Sequence, residues 1–248
     1  MKEKKSEHMD FWDEMHKKLE GKTGHLGIKG MNDPVLLAAL RSFGDLRGKR
    51  VLDIGCGNGL ATFFFAKHGA KVVSIDTSEV AIKNIDSLCK VNNIDNVQAL
   101  IASAQDIDRF GVFDCIFGSM ILHHIDPFDP FVKIMRRSLC DGGKAFFCEN
   151  NASSPLLMWF RKNIVGRFHV PKYSDGKETP FSHDKILSLE KEFQVRVEYP
   201  ELLMFRLIPV YLFRDRCYLP FAWLDRLFYR LPFLRKYSYV QYIYLSKA

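Results

Sequence analysis

None of the six cysteines stands in a Cys-x-x-Cys pair. That absence removes zinc ribbons and dithiol redox motifs from consideration, and the cysteines, mostly inside apolar runs, read as reduced core residues of a reducing compartment. No apolar run approaches the ~20 residues needed to span a bilayer. The start, Met1-Lys2-Glu3-Lys4-Lys5, is charged with no apolar stretch behind it, so no signal peptide is expected and the protein reads as cytoplasmic. What is present suits one large domain with insertions: 248 residues, 47% of them hydrophobic. A formal net charge of +7 points to an acidic partner, whether nucleic acid, an anionic membrane surface or an anionic substrate.

The most informative stretch is Val51-Leu52-Asp53-Ile54-Gly55-Cys56-Gly57-Asn58-Gly59, followed by Leu60-Ala61-Thr62-Phe63-Phe64-Phe65-Ala66. A short apolar run closing on glycines at alternate positions, then a good helix start, predicts strand, tight turn and helix, the first unit of a nucleotide-binding α/β sheet. Dinucleotide sites use G-x-G-x-x-G, whose third glycine lets the helix pack against a pyrophosphate. Here Leu60 holds that third position. The segment instead resembles motif I of the class I S-adenosylmethionine-dependent methyltransferases, in which the loop packs on the aminoacyl part of the cofactor. Asp53, Gly55, Cys56, Gly57, Asn58 and Gly59 are the loop residues that the resemblance assigns to cofactor binding.

Lys71 to Asp76 reads as a second buried strand ending in an acid about twenty residues beyond the first glycine, the separation at which a carboxylate meets ribose hydroxyls. Asp76, with Thr77 beside it, is therefore a candidate cofactor residue; the competing role for Asp76 is the cap of a helix from Ser78. Glu79 to Val91 reads as a helix and Val97 to Ala102 as a third strand. Ser103-Ala104-Gln105-Asp106-Ile107 then resembles the family's adenine-contacting segment, with Ser103 where many members carry an acid. A fourth strand, Phe113 to Met120, runs through Ser119, another expected cofactor contact, into Ile121-Leu122-His123-His124-Ile125-Asp126-Pro127. Ligands of open α/β sheets sit at the carboxyl ends of the strands, so this segment should face the transferred methyl group.

The Leu-His-His-Ile stretch followed by Asp-Pro resembles the same point in small-molecule methyltransferases of the ubiquinone and menaquinone type. Asn-Pro-Pro-Tyr, the mark of amino-directed nucleic-acid methylation, is absent, as is a Pro-Cys nucleophile. Nucleic acid is accordingly the less favoured substrate. Histidine suits deprotonation of a phenol or alcohol near neutral pH. His124 is the first choice as general base and His123 the second, the alternative for either being a hydrogen bond to the turn backbone. No metal is expected, because Met120 and His123 stand where related enzymes using a divalent ion carry carboxylates.

The resemblance implies a Rossmann-like, doubly wound, seven-stranded α/β sheet with an antiparallel last strand and helices on both faces. Within it, residues 45–150 form the S-adenosylmethionine-binding core, with a helical lid over 1–44 that includes a helix at 8–20 carrying Trp12 and another from Pro34 to Phe43. Asp129 and Pro130 are expected to open a helix to Leu139, and Asp141-Gly142-Gly143 to form the turn before a fifth strand, Lys144 to Glu149. Residues 151–192 hold a substrate-side insertion and helix, with His169 and His183 as weaker candidate bases. The last two strands, within 193–248, flank an insertion at 205–236 that carries seven cations against two acids. Phe221, Leu224, Leu227, Phe228 and Leu231 are expected on one face of its helix and Asp225, Arg226, Tyr229 and Arg230 on the other. Aromatics beside arginines suit either a lipid headgroup boundary or a lid over an apolar pocket. The expected function is methylation, at oxygen or carbon, of a small hydrophobic or lipid-linked acceptor, at the inner membrane face if the insertion is an anchor. An RNA or protein methyltransferase and a non-catalytic cofactor-binding scaffold are the competing functions.

Overall fold

The computed structural model describes residues 32–153, 158–159, 162–163, 180–202, 205–206, 208–209 and 218–247. The expected helix at 8–20, most of the 151–180 insertion with His169, and residues 210–217 lie outside these. Helix α1 (Pro34–Phe43) starts as its sequence dictates: Asp33 Oδ1 accepts from the main-chain N–H of Val35 at 2.8 Å and of Leu36 at 3.1 Å, and Pro34 fills the first turn. It buries Leu36, Ala39 and Phe43 in the core on one sheet face.

Strands β1 (Arg50–Ile54), β2 (Lys71–Asp76), β3 (Val97–Ile101) and β4 (Phe113–Ser119) alternate with helices α2 (Leu60–Lys67) and α3 (Glu79–Val91). Helix α4 (Phe128–Ser138) leads into β5 (Leu139–Asn150), and α5 (His183–Glu190), β6 (Gln194–Glu198), α6 (Tyr218–Tyr229), α7 (Pro232–Arg235) and β7 (Val240–Ser246) follow among the described residues. The sheet order is β3-β2-β1-β4-β5-β7-β6. The first five strands are parallel, and β7 runs antiparallel between β5 and β6. The seven-stranded sheet with its antiparallel last strand is thus the expected one. Strands β1 and β2 read as continuous apolar runs because helices cover both faces. On one face Phe43, Phe64 and Phe65 meet Phe117 and Phe146; on the other Phe131, Met135, Ile186 and Leu189 meet Ile54, Ile116 and Phe147.

Two local expectations need correction. Helix α4 begins at Phe128, with Pro127 in the capping position, so Asp129 and Pro130 lie inside the first turn. Proline is tolerated there because a first-turn N–H has no helical partner. The Asp141-Gly142-Gly143 piece is an irregular part of β5 itself, with Gly142 at φ +71°, where pairing with β4 shifts register. A β-bulge has the same composition as a tight turn, which is why the sequence there resembles one.

Candidate active site

Strand β1 pairs with β2 on one side and with β4 on the other, so the connections diverge from this point and leave a crevice at the carboxyl ends. A cavity of about 470 Å³ occupies it. Its wall comes from four loops. Gly55 and Gly57 follow β1, and Asp76 and Thr77 follow β2. Ser103, Ala104 and Gln105 follow β3, while Ser119 to Ile121 and His124 to Asp126 follow β4.

The glycine turn is held from within. Gly55, Gly57 and Gly59 all have positive φ, at +69°, +49° and +78°. A Cβ on Gly55 would stand 2.8 Å from Ile121 Cδ1, so only glycine lets the β1 and β4 loops approach this closely. Asp76 Oδ2 accepts from Gly57 N and its Oδ1 from Ser78 N, each at 2.9 Å. The cap of α3 falls instead to Ser78, whose Oγ accepts from Ala81 N. One carboxylate therefore braces the glycine turn and lines the cavity.

Not every sequence-selected residue reaches the cavity wall. Asp53 lies beneath the turn, fully buried, where its Oδ2 accepts from Thr62 Oγ1 at 2.6 Å and Thr62 in turn meets Ser74 Oγ at 2.8 Å. Cys56 is buried beside Phe63, Ile82 and Ile85. Asn58 is exposed and its Oδ1 accepts from Leu60 N, and Gly59 caps α2. Ser103 lines the cavity with its Oγ accepting from Gln105 N, and Gln105 Nε2 donates to Pro127 O. His124 faces the cavity, whereas His123 is turned to Glu149, its Nδ1 2.6 Å from Oε2. His183 opens α5 and is not among the cavity residues.

Three contributors carry no binding or catalytic role of their own in the sequence reading. Asp126 and Met120 line the cavity, Met120 with φ +54° at the turn out of β4. Glu149, at the end of β5, is fully buried and its Oε1 also accepts from Ile121 N (2.8 Å) and Leu122 N (2.6 Å). An acid closing an apolar strand was the available signal for Glu149, the same signal that marked Asp76.

Burial raises the Asp53 carboxyl to about 7, with the Thr62 hydrogen bond opposing and the nearby Asp76 charge adding to the rise. The folded chain thus holds a proton that the unfolded chain, at 3.8, releases. The stability contributed by the protonated form is complete below pH 3.8 and is lost as pH rises through 7. Asp53→Asn is therefore expected to flatten the pH dependence of stability over that window and to gain on the order of 4 kcal/mol relative to the native chain at pH 8. Urea unfolding of both proteins across pH 5 to about 8 checks this.

Residues 28–188, more than half of the chain, match the methyltransferase-domain family. The chain belongs to the S-adenosylmethionine-dependent methyltransferase family. A ubiquinone biosynthesis O-methyltransferase of Coxiella burnetii is 32% identical over 141 residues, covering 56% of this chain and 58% of that protein. Its namesake in Xanthomonas oryzae pv. oryzae is 31% identical over 142 residues, with the same coverage. The chain thus aligns with somewhat more than half the length of these relatives. A solved S-adenosylmethionine-dependent methyltransferase from Archaeoglobus fulgidus superposes with a TM-score of 0.61 at 16% identity, covering 92% of this chain and 97% of that one. At that identity the likeness establishes the fold alone.

The family's cofactor fits the cavity by chemistry as well as by place. S-Adenosylmethionine bears cationic sulfonium and ammonium groups, and the wall offers the acids Asp76 and Asp126. Ile54, Ile75 and Ala102 give an apolar surface for a flat base, and the glycine turn gives close backbone approach.

Proposed function

We propose that the protein methylates a hydroxyl of a small hydrophobic or lipid-linked acceptor. The observation that carries this reading is His124 on the wall of the cavity that the glycine turn and Asp76 also line. The names of the relatives, ubiquinone biosynthesis O-methyltransferases, support the same chemistry.

When bound, S-adenosylmethionine supplies an electrophilic methyl group on a positively charged sulfur. Asp76 would hold the ribose, the turn at Gly55 to Gly57 the aminoacyl part, and Ser103 to Gln105 the base. His124 takes the proton from the acceptor oxygen as it becomes nucleophilic, a step worth about 10²–10⁴-fold. Ile121 and Ile125 exclude water beside it, which strengthens the charge interactions of Asp76 and Asp126. Its neighbour His123, packed against His124 with ring centroids 4.1 Å apart and the rings tilted by 37°, and held by Glu149, limits where the His124 ring can lie.

The test is transfer of labelled methyl from S-adenosylmethionine into the organic phase of a lipid extract. His124→Gln is expected to lower kcat at least about a hundredfold while cofactor affinity changes less than about threefold. No transfer by the native protein to any phenol or alcohol in the extract would overturn the reading. Transfer that His124→Gln leaves intact would remove the base and point to a carbon acceptor.

A further inference from the structure

Helices α6 and α7 turn other faces inward than the ones expected. Asp225, expected on the polar face with Arg226, Tyr229 and Arg230, is 1% exposed. Its Oδ1 accepts from Phe205 N at 2.9 Å, and its Oδ2 accepts from Arg206 N at 3.1 Å and Arg206 Nε at 2.9 Å. Leu227 and Leu231, expected on the apolar face with Phe221, Leu224 and Phe228, are 40% and 42% exposed. The inward side is already committed. Phe228 meets the Phe205 ring at 5.2 Å, Tyr229 donates its hydroxyl to Tyr199 O at 2.6 Å, and Asn151 Nδ2 donates to Lys236 O at 2.8 Å and Ser238 O at 2.9 Å. The helix pair is fixed to β5 and to the segment after β6, and its outer face is not left over from an unfinished core.

That outer face is apolar. Leu219, Trp223 and Leu227, spaced by four, stack along one side of α6, and the first two are 80% and 61% exposed. Phe233 on α7 continues the stripe at 65%. Arg226 and Arg230, seven and eleven residues beyond Leu219, fall on the same side, and both are exposed, as is Lys236. Asp225 is the single acid from Tyr218 to Lys236, and it points inward. Among the described residues of α6 and α7, every exposed charge bordering the apolar stripe is therefore positive. Among the described residues no helix is long and apolar enough to cross a membrane.

We propose that this face of α6 and α7 seats the protein on an anionic lipid surface. Leucine, tryptophan and phenylalanine enter the boundary between headgroups and acyl chains while the arginines and the lysine meet phosphates. Apolar insertion without counter-charges would suit any greasy surface; the one-sided charge selects a negative one. The proposal stands apart from the choice of acceptor, because its test needs no turnover.

The full chain is sedimented with phosphatidylcholine vesicles, with and without phosphatidylglycerol. Binding is expected only when phosphatidylglycerol is present and is expected to weaken with salt. The pair Arg226→Glu and Arg230→Glu, a change of four charges, is expected to reduce binding on the order of 100-fold. Leu219→Ser with Trp223→Ser is expected to reduce it at least about tenfold at unchanged charge. Both variants alter exposed side chains, so unchanged thermal unfolding is the control. Failure of the native protein to bind, equal binding to neutral vesicles, or binding that survives both variants would each overturn the proposal. A dimer in solution that Trp223→Ser dissociates, with no vesicle binding, would assign the face to a second copy of the chain instead.

Discussion

Asp76→Ala is expected to weaken S-adenosylmethionine binding at least about a hundredfold in isothermal titration, the larger part of it through ribose contacts. A carboxylate accepting two hydroxyl donors makes hydrogen bonds worth roughly 1.5–3 kcal/mol each, and about 1.4 kcal/mol is tenfold in affinity. The same side chain also restrains the turn through Gly57 N, so its loss frees a loop that must then be ordered on binding. Asp76→Asn separates the two contributions. Its carbonyl oxygen can still accept from one main-chain N–H, so the turn is partly restrained while the charge is gone, and a loss nearer tenfold is expected. A native-like affinity in Asp76→Ala, at unchanged thermal stability, would move the cofactor away from this end of β2 and leave the cavity without its assigned ligand.

The strand-turn-helix at Val51 to Phe65 was legible because local physics dictates it. Three glycines with positive φ can make that turn, and an apolar run too short for a helix can only be a buried strand. Asp76 was legible for a related reason, since the distance along a βαβ unit is fixed by the lengths of its elements. Glu149 was not. Its acid type was visible, but its partners, Ile121 N, Leu122 N and His123, come from a loop nearly thirty positions away, and no local pattern reports such a meeting. Asp225 was misjudged for the same cause. A charged residue on an amphipathic helix is placed outward by default, and only the approach of Arg206 and its main-chain N–H makes the inward position stable. Both of these errors sit where a buried polar group found its partners across the fold rather than along the chain. The same misjudgement hid the apolar stripe, because moving Asp225 inward turns Leu219, Trp223 and Leu227 outward.

Glu149→Ala is expected to be the most destabilising single change in the catalytic region. The substitution leaves two main-chain N–H groups and the His123 ring without their acceptor in a site closed to solvent. Removing one partner of a buried charged cluster costs about 3–5 kcal/mol, which in a domain of this size lowers Tm by roughly 10 °C. The kinetic effect separates holding from chemistry. Ile121 to His124 form a single turn on which Glu149 acts from β5, while Lys185 of α5 donates to Leu122 O at 3.3 Å from the other side. Loosening that turn misplaces His124 without touching Asp76, so kcat should fall by about 100-fold while the cofactor constant barely moves. Glu149→Gln keeps the shape and one oxygen for the two N–H groups, and should recover most of the stability but only part of kcat. Were kcat in the folded fraction of Glu149→Ala equal to that of the native protein, the position of His124 would not matter to the reaction. The general base would then have to be sought elsewhere in the cavity, with Asp126 another acid on its wall.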